Sequence, residues 1–242
     1  MTSAVSRDAS SAAWYESVPD FETIGVRAFT TTRAAGSFGV GSDEPVRDVM
    51  ARWDRLRAEL APSGPRLATA HQVHGDRILL HGTGWEGWLR CGDGDGHLAL
   101  QRGTGAAVSI ADCVPVFIGH ASGAIALLHS GWRGTAARIV ERAIDTLDTR
   151  GIPSGELMVH LGPAICGTCY EVSPDVYERL TGRAVDRATT VDLRAVIAGH
   201  ARSRGVRRIS ISERCTRCDN DTFFSHRAGD GGRQLGVMIA PL

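Results

Sequence analysis

The sequence predicts an α/β protein, in which a buried sheet carries amphipathic helices. Three apolar runs of strand length, residues 106–110, 114–119 and 124–128, follow one another closely, with Gly119 and Gly123 bounding a short turn. Past Gly134, residues Ala136, Ile139, Val140, Ala143, Ile144 and Leu147 recur at helical spacing, which gives a helix one apolar face to lay on that sheet. Gly151 and Pro153 end it.

The other elements follow in order. Residues 1–13 are rich in Ser and Ala and read as a disordered leader, with too little apolar surface to offset the entropy of ordering; the fold, a single domain over residues 14–242, starts near Trp14. Residues 24–32 are rich in β-branched side chains and end in Arg33-Ala-Ala-Gly36, a strand followed by a loop. Residues 45–60 read as a helix, and 67–73 as a strand that delivers His74-Gly75 at its exit. Residues 77–81 continue that strand or pair with it. Residues 82–96 carry Gly82, Gly84, Gly87, Gly92, Gly94 and Gly96 without periodicity and read as a loop, whose Trp85 and Trp88 cap the core. Residues 157–161 form a strand, and Ser173-Pro174 supplies the N-cap and first turn of a helix to about Leu180. A further helix around Leu193, Val196 and Ile197 closes at Gly205, and strands near Ile209 and Val237 finish the chain.

Composition narrows the function classes. In 242 residues, 27 basic side chains balance 27 acidic ones, so no sequence-wide field draws nucleic acid or an anionic membrane surface, and a small, locally recognised substrate fits better. Residues 1–13 lack a signal-peptide core, and no apolar run approaches the ~18 residues of a membrane span, which points to the cytosol. Six cysteines are too sparse for a disulfide scaffold, and a reducing compartment favours free thiols or metal ligands.

His74 and His129 stand where predicted strands run out, and Cys113 lies between two apolar runs, behind Asp112 and before Pro115. One thiolate and two imidazoles make a borderline-soft donor set suited to Zn2+, with a fourth position open to water or substrate. His129 opens Ser130-Gly-Trp-Arg-Gly134, where two glycines around a Trp-Arg pair suggest close backbone approach to an anion with Arg133 as a donor. Cys166/Cys169 and Cys215/Cys218 are paired at a spacing that holds a structural zinc, or are ordinary loop thiols. The Asp93/Asp95 pair is a fragment of a calcium loop without its later ligands.

Five segments occur in order: His71-Gln-Val-His-Gly75, Ala111-Asp-Cys-Val-Pro115, His129-Ser-Gly-Trp-Arg-Gly134, Gly162-Pro-Ala-Ile165 with Tyr170-Glu-Val172, and Phe223-Phe-Ser-His-Arg227 with Gly232-Arg233. Together they resemble the polyphenol oxidase (laccase-domain) family, also described as multifunctional purine nucleoside phosphorylases and as peptidoglycan editing factors. The resemblance spans residues 20–240. It implies packed mixed β-sheets between helical layers, a fold grouped with the cytotoxic necrotizing factor cysteine hydrolases. It also implies a zinc site formed by His74, Cys113 and His129, with His71 adjacent to it. The family's usual Gly-Gly-Val-Ser stretch and Leu-Asn dipeptide are replaced here by a shortened Ala34-Ala-Gly-Ser-Phe-Gly39, which rebuilds a wall of the site, while Arg33 keeps the family's Thr-Arg position as a possible anion contact.

The resemblance implies a zinc-dependent purine nucleoside enzyme. It would cleave adenosine, inosine or methylthioadenosine with phosphate and would also deaminate adenosine. Arg133, Arg33 and His71 would contact substrate or phosphate, and Asp112 would orient a ligand or carry a proton. Alternatives are copper-dependent (Cu2+) oxidation of phenols, an amidase that edits a peptidoglycan precursor, and a metal-stabilised interaction protein. Copper chemistry of the multicopper kind needs clustered histidine pairs, and the chain has no His-x-His element.

Overall fold

A computed structural model describes residues 13–41 and 43–242. The expected leader lies outside them save for Ala13, whose carbonyl accepts a hydrogen bond from Thr32 Oγ1.

The strands are β1 (Tyr15–Ser17), β2 (Arg27–Thr31), β3 (Arg66–His71), β4 (Ile78–His81), β5 (Gly87–Asp93), β6 (Gly96–Ala99), β7 (Thr104–Ile110), β8 (Val114–Gly119), β9 (Ile125–Ser130), β10 (Met158–Leu161), β11 (Glu171–Val172), β12 (Thr189–Thr190), β13 (Arg208–Ile211) and β14 (Gln234–Ile239). The helices are α1 (Val46–Leu60), α2 (Trp132–Ala136), α3 (Ile139–Asp148), α4 (Pro174–Thr181) and α5 (Leu193–Ser203). One mixed sheet runs β1-β2-β14-β7-β3-β5, and a second runs β13-β10-β8-β9-β6-β4.

The apolar runs are continuous because both faces of the central strands are covered. Along β7, Ala106, Val108 and Ile110 face the second sheet, while Ala107 faces α1. Along β8 and β9, Phe117, Ile125 and Leu127 face the first sheet, and Val114, Val116, Ile118, Ala126 and Leu128 face the helices of the opposite layer. The period of two thus sorts adjacent apolar residues into different cores. Helix α1 closes one side with Val49, Trp53, Leu56 and Leu60. Helices α3, α4 and α5 close the other. The result is the expected pair of mixed sheets between helical layers.

Four local expectations need correction. The glycine-rich tract is not all loop: β5 pairs in parallel with β3 at the sheet edge, where backbone pairing and the packing of Trp88 on Trp53 (4.7 Å between ring centroids) override weak propensity. Residues 78–81 leave the first sheet and pair with β6 in the second. The helix after Gly134 is broken at Arg138, whose φ of 60° separates α2 from α3 and turns Ile139, Val140, Ala143 and Ile144 onto the second sheet. Ser173 precedes α4 in extended conformation, but its hydroxyl donates to Asp175 instead of capping; Asp192 does cap α5, accepting from the amides of Arg194 and Ala195.

Candidate metal centre and cleft

Strands β3, β5 and β7 are parallel neighbours in the first sheet, so they end on the same edge, and each is followed by a crossing to the second sheet. Those three crossings carry His74, Asp95 and Cys113. His129 reaches the same edge near the end of β9, which runs antiparallel to β8.

The ligand atoms of His74, Cys113 and His129 lie within 4.8 Å of one another, with His129 buried, Cys113 half-buried and His74 exposed. The two imidazoles stand edge to face, 4.8 Å between centroids. Backbone geometry is specialised around them: His74 has φ of 60° and Asp112 φ of 83°, in the left-handed region that costs a non-glycine residue energy unless its surroundings hold it there. Gly131 supplies the space. A Cβ there would come within 2.8 Å of Cys113 Sγ and 3.4 Å of His74 Cδ2.

Asp95 organises the centre. Its buried carboxylate accepts the His129 Nδ1 proton at 2.7 Å and the amides of Val73, His74 and Gly75 at 3.2, 3.0 and 2.7 Å. Burial pushes its pKa up, but those hydrogen bonds outweigh burial and hold the carboxyl below its ordinary value. With Nδ1 committed to Asp95, the Nε2 of His129 is left for Cys113 or a cation, the arrangement by which a carboxylate orients a ligating histidine. Burial raises the Cys113 thiol, yet the charge and hydrogen bonding of His129 and then of His74 bring it down to about 6. Burial likewise opposes charge on His129, but Cys113 and Asp95 raise it to about 9. Gln72 ties the first crossing to β7 by donating to the Ser109 carbonyl (2.8 Å) and accepting from its amide (2.7 Å).

These groups form the floor of a cleft of about 550 Å³, large enough for a small ligand. Arg90, Arg133, Arg227 and Arg233 line it, and among the described residues none of the four pairs with a carboxylate. Tyr170 also faces the cleft; burial first, and then the negative Cys113, push its phenol up to about 12, so it is a hydrogen-bond donor. A balanced sequence thus folds into a locally cationic site.

The structure brings His74, Cys113, His129, Asp112 and Arg133 together around this cleft. Both oxygens of Asp112 are engaged, one by Thr216 Oγ1 at 2.6 Å and one by the Arg227 amide at 2.7 Å, so this residue positions its neighbours. His71 lies apart, pairing with Asp93 on the surface at 2.8 Å. Arg33 also lies apart: it donates to the carbonyls of Asn220 and Phe223 and pairs with Asp230. The shortened segment 34–39 contributes Phe38 to the core against Trp53, and it backs Arg233, whose amide donates to Ser37 Oγ. Asp95, Tyr170, Arg90, Arg227 and Arg233 were not singled out from sequence as site residues. For Asp95 a signal existed, an acid between two glycines directly before a buried strand, when a ligating histidine requires a carboxylate or carbonyl partner.

The donor set fits a borderline-soft divalent ion: two imidazoles, one thiolate already favoured by its surroundings, and a cavity that a side chain at 131 would fill.

Residues 27–241 match the family described as multi-copper polyphenol oxidoreductase laccase. The chain is 34% identical to a purine nucleoside phosphorylase of Mycobacterium tuberculosis over 85% of this chain and 88% of that one. It is 30% identical to the adenosine deaminase RL5 of an unknown prokaryotic organism, over 88% and 90% of the two chains. Its fold is similar to the crystal structure of YlmD from Geobacillus stearothermophilus, with TM-score 0.86, 27% identity and coverage of 96% and 97%. The chain belongs to this laccase family.

Proposed function

We propose that this member of the laccase family is a zinc-dependent purine nucleoside enzyme that cleaves adenosine, inosine or methylthioadenosine with phosphate and also deaminates adenosine. The observation that carries the reading is the His74/Cys113/His129 donor set in a cleft that four arginines, none paired with a carboxylate among the described residues, also line. Two relatives named for these two activities support it.

Arg133, Arg227, Arg90 and Arg233 supply the charge that binds phosphate and holds one of its oxygens against the ribose C1′. As that oxygen forms its bond to C1′, the glycosidic electron pair leaves with the purine, which takes its proton from solvent, and Tyr170 is a hydrogen-bond donor at the wall of the cleft. Asp95 accepts the His129 Nδ1 proton and so orients the ring with Nε2 toward the centre. His74, Cys113 and His129 would hold zinc, which when bound would supply Lewis acidity for the activation of water in deamination.

Incubation with each nucleoside, with and without phosphate, tests the reading: sugar phosphate is the expected product. Arg133→Ala raises the phosphate KM. Arg33→Ala leaves that KM unchanged and lowers stability by about 1 kcal/mol or somewhat more, because its partners are backbone carbonyls and Asp230. Equal cleavage in phosphate-free buffer, with free ribose released, would make the enzyme a hydrolase.

One observation favours a second reading. Cys113, His129 and Asp95 also make a thiolate–imidazolium pair oriented by a carboxylate, the geometry of a cysteine nucleophile, which suits amide hydrolysis of a peptidoglycan precursor. A thiolate bound to zinc is not free to attack. Amide hydrolysis by metal-stripped protein therefore supports the nucleophile, and nucleoside turnover that requires zinc supports the metal centre.

A further inference from the structure

The first cysteine pair lies on the loop after β10 and the second on the loop after β13, and the fold sets the two loops side by side. Ala164 and Cys215 form an isolated parallel bridge, and the Thr216 amide donates to the Ala164 carbonyl at 3.2 Å. The four sulfurs of Cys166, Cys169, Cys215 and Cys218 all lie within 4.8 Å of one another, with Cys169 and Cys218 at 3.5 Å. Tetrahedral zinc with Zn–S bonds of about 2.3 Å places its sulfurs about 3.8 Å apart, so small side-chain adjustments complete the tetrahedron.

Backbone geometry is already that of a ligand pair. The Cys215 sulfur accepts from the amides of Cys166 at 3.3 Å and Cys218 at 3.4 Å, and the Cys169 amide closes a turn on the Cys166 carbonyl at 3.0 Å. Amide donors to sulfur stabilise thiolate over thiol and leave its remaining lone pairs to a cation. Four soft donors with no oxygen or imidazole among them select zinc in a closed, structural site, in contrast to the open centre beneath the cleft.

The position of the cluster gives it a role. Thr216, between two of these cysteines, donates to Asp112, which adjoins Cys113, and the Asp112 carbonyl accepts from Ile165, which adjoins Cys166. Tyr170 follows Cys169 and packs against the Arg227 guanidinium, 5.2 Å from the ring centroid. We propose that Cys166, Cys169, Cys215 and Cys218 bind a second, structural zinc that clips these two loops together and thereby holds the Tyr170–Arg227 wall and Asp112 in place over the cleft.

Metal content and Co2+ spectroscopy test this whatever the first centre holds. The Cys113→Ser chain, which lacks the thiolate of the first centre, is titrated with Co2+ alone. The expected result is one tight equivalent with tetrahedral ligand-field bands and an intense sulfur-to-cobalt charge-transfer band, displaced by zinc. The added substitution Cys218→Ser, at the most exposed of the four positions, weakens that band and loosens binding at least tenfold; Cys215→Ser abolishes it. By elemental analysis, Cys215→Ser alone lowers zinc per chain relative to the unsubstituted protein. Equal zinc content in these two proteins would overturn the proposal, as would absence of a charge-transfer band in Cys113→Ser. So would an intact-mass measurement that finds the four cysteines as disulfides in protein purified under reductant.

Discussion

The two sulfur-bearing clusters of this molecule are built on opposite plans. The four cysteines come as two local pairs at i and i+3, each on one loop, all of one donor type and with backbone amides directed at a sulfur. The His74/Cys113/His129 centre takes one residue from each of three separated segments, mixes donor types, depends on the buried carboxylate of Asp95, and opens to a cationic cleft. A site that only has to hold loops together can be assembled from short-range motifs. One that must present an open position to substrate draws its ligands from several strand ends, because only the ends of a rigid sheet bring separate side chains to one point with a vacancy between them.

The largest effect that would test this contrast is on rate. Cys113→Ser replaces the thiolate by a hydroxyl that is far harder to deprotonate, and nucleoside turnover should fall on the order of a hundredfold or more, measured as kcat/KM. Cys91→Ser, on the edge strand β5, should change it almost not at all. A Cys113→Ser enzyme of near-normal rate would remove the distinction between the clusters.

Next is Asp95→Asn. The amide keeps the volume but loses the charge that holds His129, so zinc affinity at the open centre should fall about 10- to 100-fold, read by chelator competition. The amides of Val73, His74 and Gly75 lose the carboxylate they donate to, and unfolding in urea should show a cost of about 3 kcal/mol. Cobalt binding at the four-cysteine cluster should be untouched. Loss of both metals together would mean that the centres are one cooperative unit.

A smaller effect appears only in metal-free protein. The Cys113 pKa is depressed to about 6, so its contribution to stability is present at high pH and is lost as pH falls through about 6. The His129 pKa is raised to about 9, so its contribution is present at low pH and is lost as pH rises through about 9. The ion pair is therefore complete only between these limits. Alkylation of Cys113 by iodoacetamide, mapped by mass spectrometry, should reach half its maximal rate near pH 6, and His129→Ala should move that midpoint toward the ordinary thiol value. A midpoint near 9 in the unsubstituted protein would show that His129 does not activate the thiol.

Much of this architecture is legible without coordinates. Unbroken apolar runs at 114–119 and 124–128 announce strands covered on both faces, because only a doubly buried strand can place every residue in a core. The helical period after Gly134 announces the layer outside them, and the Cys-x-x-Cys pairs announce themselves by spacing. Other features belong to the tertiary structure alone. Trp88 lies in a glycine-rich tract that reads as loop, and it becomes part of a strand only because β3 and Trp53 are beside it. The helix break at Arg138, with φ of 60°, is invisible in the periodicity, and it sets the apolar face of α3 in the core against the second sheet. Asp95 reads as half of an incomplete calcium loop until the crossing after β5 sets it beneath the amides of residues 73–75 and the ring of His129.

The arginines show the same division. The motifs offer both Arg133 and, by the family resemblance, Arg33 as anion contacts, but Arg33 is committed to Asp230 and two carbonyls while Arg133 lines the cleft. Residue type and short-range spacing determine which chemistry the chain carries, since periodicity, ligand softness and turn preference act within a few residues. Which charges are neutralised, which carboxylate orients which imidazole and which thiols converge is decided by contacts between residues tens to hundreds of positions apart, and these depend on how strands cross from one sheet to the other.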